Sequence, residues 1–118
     1  MISVIMPAFN AASFIKESID SILNQSYKDF ELIIINDGSI DQTEQIINTF
    51  KDSRLKLINN NSNMGIVVSL NKAVSLVQGE YIARMDSDDI ADKNRLSLQL
   101  DYLKSNNLDI CGSSINAF

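Results

Sequence analysis

Three carboxylates and a hydroxyl follow one another in the turn Asp86-Ser87-Asp88-Asp89, directly after a short apolar run. In an extended segment residues two apart project to the same side, so Asp86 and Asp88 can point their carboxylates at one spot. The mutual repulsion of such carboxylates is relieved by a divalent cation, and oxygen ligands in an open turn suit Mg²⁺ or Mn²⁺ bridging to a substrate phosphate. The turn therefore predicts a cation site for a nucleoside diphosphate. The alternative is a solvated loop in which Asp89 or Asp92 only caps the next helix.

A second candidate is Asp37, in the turn Asn36-Asp37-Gly38-Ser39. Its carboxylate could accept hydrogen bonds from the N–H groups of a nucleobase and so select a pyrimidine imide edge. Gly38 would then let the backbone approach the ligand closely. Equally, Asp37 could only hydrogen-bond backbone amides ahead of a helix cap at Ser39. The residues alone leave both interpretations open.

A third turn, Pro7-Ala8-Phe9-Asn10, ends the first apolar run of the chain. Pro7 lacks the amide that would continue a strand ladder, and Ala8 and Phe9 offer a small flat surface on which a base could lie. Ordinary turn chemistry explains these residues equally well. Our candidates for nucleotide binding are therefore Pro7, Ala8, Phe9, Asp37, Asp86 and Ser87, and those for metal binding are Asp86 and Asp88.

The secondary structure predicted around these turns brings them to one edge of a sheet. Short apolar runs predict five strands, at residues 2–8, 31–36, 54–59, 80–85 and 108–113. Apolar residues at helical spacing predict four helices between them, over residues 15–23, 43–50, 67–77 and 94–104, the second opening with a capping box at Ser39 and Gln42. Such alternation predicts a three-layer α/β/α Rossmann-like fold with a mainly parallel sheet. In such sheets ligands bind at the carboxyl ends of the strands, where the three turns fall.

Composition limits the class of protein and its partners. The 118 residues are 45% hydrophobic and 21% charged and include one cysteine, which indicates one ordered domain without an internal disulfide. A formal charge of −5 without a run of Lys or Arg argues against a nucleic-acid partner. The sequence shows no membrane segment and no targeting signal, so we expect a soluble, cytoplasmic chain.

The ordered set of motifs resembles family 2 glycosyltransferases of the GT-A fold. The resemblance rests on Ser-Val-Ile-Met-Pro-Ala-Phe-Asn at residues 3–10, Ile-Asn-Asp-Gly-Ser at 35–39, and Gly-Glu-Tyr-Ile-Ala-Arg-Met-Asp-Ser-Asp-Asp at 79–89. Shorter matches at residues 21–32, 63–65 and 95–99 extend it over essentially the whole chain. One Asp-x-Asp is weak evidence, whereas this ordered set is specific.

The resemblance implies roles for individual residues. It implies that Asp37 binds uracil, that Ala8 and Phe9 lie beside the base, and that Asp86-Ser87-Asp88 is the Asp-x-Asp motif that holds the cation on the diphosphate. It implies metal-dependent, inverting transfer of a sugar from a nucleotide donor, a UDP-sugar in our expectation, to a glycan or lipid-linked acceptor, with Mn²⁺ or Mg²⁺ as cofactor. It also implies a bacterial enzyme of polysaccharide assembly at the cytoplasmic face of the membrane.

One motif departs from the family's pattern, and one expected residue is not found. Many members carry Ala-Arg-Asn in the third helix where this chain has Ser69-Leu70-Asn71, so that arginine's contact is in doubt and Arg84 is the candidate substitute. The resemblance implies a catalytic base downstream of Asp-x-Asp, and residues 1–118 offer no candidate for it. We therefore expect residues 1–118 to be a donor-binding part, without the acceptor-binding part, that does not transfer sugar. An apolar surface left open in this way could let copies associate into a homo-oligomer.

Other α/β classes fit less well. A dinucleotide-binding domain needs Gly-x-Gly-x-x-Gly after the first strand, and residues 7–12 contain no glycine. A phosphate-accepting receiver needs acids at the end of that strand, and a sugar nucleotidyltransferase needs a glycine- and arginine-rich loop near the start. The sequence has neither feature. A non-catalytic nucleotide-binding module of the same fold remains the alternative to an enzyme.

Overall fold

Strands and helices alternate strictly along residues 1–114, the part of the chain that this computed structural model describes. The strands are β1 (Ile2–Ala8), β2 (Phe30–Asn36), β3 (Leu55–Asn59) and β4 (Tyr81–Arg84). The helices are α1 (Ile15–Leu23), α2 (Thr43–Asn48), α3 (Ile66–Leu76) and α4 (Arg95–Ser105). The first four predicted strands and all four predicted helices are present, and each observed bound lies within two residues of the predicted one.

The strands form one parallel sheet in the order β3-β2-β1-β4. The chain runs outward from β1 to β3 and then returns to the far side of β1 to form β4. This reversal creates a topological switch point beside the carboxyl end of β1, which is where open parallel sheets bind ligands. The turns after β1 and β4 therefore lie side by side at the position where a ligand is expected.

Apolar side chains cover both faces of the two central strands. Alternate residues of β1 and β2 point to opposite faces, so Leu32 packs with α1, α2 and α4 whereas Ile33 packs against α3. Both strands are buried along almost their whole length, as expected for parallel strands between helix layers. The predicted three-layer α/β/α fold is therefore confirmed.

The prediction of a fifth strand at residues 108–113 is wrong, because this segment has no strand structure within the described residues. A short apolar run becomes a strand only when its backbone joins a ladder. Here the segment instead follows α4, where the Cys111 thiol donates to the Gln99 carbonyl oxygen at 3.7 Å. Ile110, the centre of the apolar run, is 87% exposed.

Two helices differ locally from what the sequence pattern suggests. In α3 two of the apolar residues at helical spacing, Val67 and Val74, are exposed, whereas Ser69 and Ala73 are buried. In α2 the predicted cap at Ser39 does not form, because the Ser39 hydroxyl donates to Asn36 Oδ1 at 2.5 Å and the helix begins at Thr43. Across residues 1–114, none of the helices combines the length and the apolar character needed to cross a bilayer.

Candidate functional site

One cleft of about 480 Å³ at the carboxyl ends of β1, β2 and β4 brings together every site residue predicted from the sequence. These residues are Pro7, Ala8, Phe9, Asp37, Asp86, Ser87 and Asp88. Sequence reasoning missed the remaining lining residues, which are Asn10, Ala11, Phe14, Asn63, Gly65, Ile66 and Ser69. Asn10, Asn63 and Gly65 belong to the motif blocks that carried the resemblance, so the sequence held a signal for them.

The wall formed by the turn after β1 is tied to the turn after β2. Ala8 is buried, whereas the ring of Phe9 is 48% exposed at the cleft. Asn10 adopts a left-handed conformation (φ 49°), donates its backbone amide to Ser39 Oγ at 2.9 Å and accepts the Ile40 amide on Oδ1 at 2.9 Å. Because Asn tolerates positive φ better than most residues, it suits this reciprocal pair of bonds. The two turns therefore form one rigid wall.

Asp37 is buried and holds the start of α3. Its Oδ1 accepts hydrogen bonds from the Met64 amide at 2.8 Å and from Asn60 Nδ2 at 2.9 Å, and its Oδ2 accepts one from the Gly65 amide at 3.0 Å. Burial alone would raise the pKa of Asp37, but the hydrogen bonds from Met64, Asn60 and Gly65 outweigh burial and lower it. Asp37 is therefore an anion at neutral pH, and Oδ2 keeps an acceptor position for a further donor.

Gly38 explains how the start of α3 reaches Asp37. The residue has φ 71°, and a Cβ added to it would lie 2.5 Å from the backbone carbon of Ser62. The close approach that the sequence suggested for Gly38 is therefore made to the loop before α3. This contact brings the Met64 and Gly65 amides to the carboxylate, so the partners of Asp37 are not the amides ahead of Ser39.

The acidic turn after β4 forms an open cluster of three carboxylates. Asp86, Asp88 and Asp89 are exposed and offer carboxylate oxygens that all lie within 4.8 Å of one another. Desolvation, with the negative charges of Asp88 and Asp86, raises the pKa of Asp89. An oxygen-only donor set in an open turn fits a hard divalent cation such as Mg²⁺ or Mn²⁺. Asp92 instead holds the turn before α4, where its Oδ1 accepts the Asn94 amide at 2.9 Å.

One face of α1 supports this turn. Ser18 and Ser21 lie three residues apart on one side of α1. Gln25, four residues further on and just beyond the end of the helix, continues that side. The buried Ser18 hydroxyl lies 2.8 Å from the carbonyl oxygen of Ser87 and 2.6 Å from that of Asp89. In the sequence, the serine at position 18 falls among the apolar residues of one helix face, and this is the signal that could have revealed the support.

Gln25 fastens the following segment with both ends of its side-chain amide. It is fully buried, donates Nε2 to the Asp92 carbonyl oxygen at 2.6 Å, and accepts the Leu96 amide on Oε1 at 3.0 Å. Ser21 Oγ accepts the Ala91 amide at 3.0 Å, which lies along the chain between the Ser18 contacts and the Gln25 contacts. The acidic turn is thus held through its backbone rather than through the carboxylates of the cluster.

Neither Leu70, at the position of the family's arginine, nor Arg84, the candidate substitute, places a positively charged side chain next to Asp37. Leu70, at the position of the family's arginine, packs against the apolar cluster between β1, β2 and α3. Arg84 lies at the end of β4 with Nη2 3.4 Å from Asp86 Oδ1. Arg84 lines a second cavity, of about 300 Å³, along the β4 edge, so the structure does not place it in the cleft with Asp37.

Known proteins share both the sequence and the fold of this chain. The UDP-Glc:alpha-D-GlcNAc-diphosphoundecaprenol beta-1,3-glucosyltransferase WfgD of Escherichia coli is 39% identical over 108 residues, which cover 92% of this chain and 43% of that protein. The crystal structure of S. aureus TarS 1–349 in complex with UDP-GlcNAc superimposes with a TM-score of 0.84 at 29% identity, covering 90% of this chain and 32% of that one.

A third match holds a different nucleotide. The mannosyltransferase PcManGT from Pyrobaculum calidifontis, in complex with GDP-Man and Mn²⁺, superimposes with a TM-score of 0.80 at 27% identity, covering 86% of this chain and 32% of that one. The chain spans between 33% and 44% of the lengths of the first curated relatives it matches. Residues 3–118 match the family model described as Glycosyl transferase family 2, and the chain therefore belongs to family 2 of the glycosyltransferases, with the GT-A fold.

Proposed function

We propose that residues 1–118 bind a nucleotide-sugar donor, a UDP-sugar, in the cleft at the carboxyl ends of β1, β2 and β4. The observation that carries the proposal is the pairing of two different acidic features in one cleft: the buried anion Asp37 and the open cluster at 86–89. A buried carboxylate with a spare acceptor position suits a nucleobase, and an open cluster suits a cation on a diphosphate. Family membership supports this assignment.

Asp37 would recognise the base by its hydrogen-bonding pattern. The imide N3–H of uracil can donate to a carboxylate, whereas cytosine presents an acceptor at that position and would be repelled. Guanine also presents N–H donors, so binding of GDP is the informative comparison. Phe9 and Ala8 would supply the surface on which the flat ring rests. We therefore expect the preference UDP over CDP to depend on Asp37.

Asp86 and Asp88 would hold a divalent cation, with Asp89 beside them. When bound there, Mg²⁺ or Mn²⁺ would supply Lewis-acid stabilisation of the negative charge that develops on the departing nucleoside diphosphate. Ser18 and Gln25 contribute by fixing the backbone of the turn, so that the carboxylates keep a common direction.

For the whole protein we propose metal-dependent, inverting transfer of the sugar to a glycan or lipid-linked acceptor, at the cytoplasmic face of the membrane. The relative WfgD, whose name includes a diphosphoundecaprenol substrate, supports a lipid-linked acceptor. We assign no catalytic base to residues 1–118. These residues alone are therefore expected to bind the donor without transferring sugar.

Calorimetric titration of residues 1–118 with UDP, with and without Mn²⁺, tests the proposal. Binding should require the metal and weaken at least roughly tenfold in Asp88→Ala, because one charge-assisted ligand bond is lost. Asp101→Ala removes an exposed carboxylate from α4, outside the cleft, and should bind UDP like the wild type. Metal-independent UDP binding that Asp88→Ala does not change, or tight binding of NAD instead, would refute the proposal.

A further inference from the structure

The side-chain amide that holds Asp37 is itself held by a lysine of α3. Asn60, which is 7% exposed, donates Nδ2 to Asp37 Oδ1 at 2.9 Å and to Ser69 Oγ at 3.3 Å. Its Oδ1 accepts a hydrogen bond from Lys72 Nζ at 2.8 Å. A continuous chain of hydrogen bonds therefore runs from Lys72 through Asn60 to the cleft.

The charges at the two ends of this chain fix the orientation of the Asn60 amide. A lysine ammonium can only donate hydrogen bonds, and an ionised carboxylate can only accept them. The carbonyl end of Asn60 must therefore face Lys72, and the NH₂ end must face Asp37. The reversed amide would set two donors against each other at one end and two acceptors at the other. Lys72 thus selects the orientation in which Asn60 can serve Asp37.

With the Asn60 amide in this orientation, the two carboxylate oxygens of Asp37 accept different numbers of hydrogen bonds. Each carboxylate oxygen offers about two acceptor positions. Oδ1 uses both, for Asn60 and the Met64 amide, whereas Oδ2 uses one, for the Gly65 amide. Among these three bonds Oδ2 takes part in one, so the position left for a ligand donor is on Oδ2. The Ser69 hydroxyl also acts on the carboxylate and lowers the pKa of Asp37. A donor from a ligand in the cleft would meet a single oxygen in one fixed direction.

We propose that Lys72 is a positioning residue for nucleobase selection, acting through Asn60 to hold the Asp37 carboxylate in the plane that accepts the imide N–H of uracil. The inference rests on the proposed function, in which Asp37 contacts the base. In the part of the chain that the structure describes, the residues that line the cleft include Asp37 and Ser69 but neither Asn60 nor Lys72. Lys72 therefore acts on a ligand through Asn60 and the two cleft residues that Asn60 contacts, Asp37 and Ser69.

The test measures the ratio of the dissociation constants for CDP and UDP, in the presence of Mn²⁺, for residues 1–118 and four variants. Lys72→Met leaves Asn60 Oδ1 without its donor, so the ratio should fall by roughly tenfold, the size of one hydrogen bond to a charged group. Lys72→Arg keeps a cationic donor and should restore the ratio. Lys51→Met removes an exposed lysine that follows α2 and should leave the ratio unchanged.

Asp37→Asn separates failure of this inference from failure of the proposed function. If Asp37→Asn abolishes the preference for UDP and Lys72→Met does not change it, the inference is wrong and the proposed function stands. If Asp37→Asn leaves the preference intact, the base assignment is wrong and the inference fails with it. A loss in both variants, with rescue by Lys72→Arg, supports the inference, because a merely structural lysine would not alter a ratio of two affinities.

A measurement on the wild-type chain covers the case in which Lys72→Met does not fold. The NH₂ protons of Asn60, held between Asp37 and Ser69, should exchange with solvent more slowly in NMR spectra than those of Asn71, whose side chain is exposed on α3. Exchange of the Asn60 protons as fast as that of Asn71 would overturn the proposed hydrogen-bond chain.

Discussion

The cleft contains two kinds of aspartate, which differ in exposure and in hydrogen bonding. Asp37 is 5% exposed and its pKa is lowered by hydrogen bonds that outweigh burial, so it is a rigid anion with one free acceptor position. Asp86 and Asp88 are exposed, and their carboxylates are not committed to the backbone of the fold. Rigidity suits discrimination among bases, whereas open carboxylates suit a cation that also keeps water and phosphate ligands.

We predict that Phe9 contributes to nucleotide affinity but not to the choice between UDP and CDP. If a base rests on its ring, Phe9→Ala should weaken UDP and CDP alike by about 1–3 kcal/mol, the range for base–aromatic stacking. Competition binding of the two nucleotides measures this. Tyr102→Ala, which removes an equally exposed ring from α4, is the control and should bind normally. A change in the CDP-to-UDP ratio in Phe9→Ala would contradict the assigned role.

The glycines at 38 and 65 give a matched pair for stability. Both have positive φ, 71° and 93°, so alanine is strained at either position. Only at Gly38 would the new Cβ also collide, at 2.5 Å from Ser62, whereas nothing lies within 4 Å at Gly65. Gly38→Ala should therefore lower the free energy of unfolding by about 1–3 kcal/mol more than Gly65→Ala. Equal losses in urea unfolding would show that the predicted collision is absent.

At the scale of elements, α1 holds the acidic turn through Ser18, and Gln25, just after α1, holds the segment between that turn and α4. Gln25→Met keeps the volume but leaves the Asp92 carbonyl and the Leu96 amide without partners, which should cost about 2–3 kcal/mol of stability. Because the turn would also loosen, Mn²⁺ affinity in the presence of UDP should fall. Gln45→Met, at an exposed position of α2, is the control. Lower stability with unchanged Mn²⁺ affinity would separate Gln25 from the metal site.

At the opposite end of the sheet, Glu31 fastens the entry to β4. Its Oε1 accepts hydrogen bonds from Ser3 Oγ at 2.5 Å and the Gln78 amide at 2.8 Å, and its Oε2 pairs with Lys56 Nζ at 2.6 Å. Burial opposes ionisation of Glu31, but hydrogen bonds from Lys56, Ser3 and Gln78 outweigh it, so the pKa lies below 4.5. β4 carries the acidic turn at its other end, so this contact helps to set its register.

The lowered pKa predicts a pH dependence of stability. For a carboxyl group whose pKa is lower in the folded state, the stabilisation is complete above the unfolded value, here 4.5, and is lost as pH falls through the folded value. Wild type should therefore lose more unfolding free energy between pH 7 and pH 3 than Glu31→Gln. Glu80→Gln changes an exposed neighbour and should follow the wild type. Parallel curves for wild type and Glu31→Gln would contradict this role.

The elements show which features the sequence could predict. Continuous apolar runs located β1 and β2 because both strands are buried on two faces, and the motif turns located the cleft because parallel strands end at one edge. Apolar spacing does not show the buried face of α3, because Ser69, a polar residue, is buried beside Asn60 through a hydrogen bond that local periodicity cannot show. Lys72 contacts Asn60 because α3 packs against the loop that follows β3, and this packing cannot be read from the sequence.

At the scale of the whole molecule, the charge of the chain predicts that binding of the proposed donor needs a cation. The chain carries a formal charge of −5, and four of its carboxylates, those of Asp37 and the acidic cluster, lie at the cleft. We therefore expect a nucleoside diphosphate to be repelled unless a metal intervenes. UDP with Mn²⁺ at about 100 times the dissociation constant should stabilise the fold by about 2.7 kcal/mol and raise the melting temperature by roughly 10 °C. UDP alone should not. A thermal scan in which UDP alone stabilises equally would contradict the need for metal.

The most direct test of the central claim is a crystal structure of residues 1–118 with UDP and Mn²⁺, using anomalous scattering to locate the metal. We predict an anomalous peak at the carboxylates of Asp86 and Asp88, the diphosphate on that metal, and uracil beside Phe9 with its N3–H directed at Asp37. Nucleotide and manganese bound elsewhere, with this cleft left empty at saturating concentrations, would contradict the account.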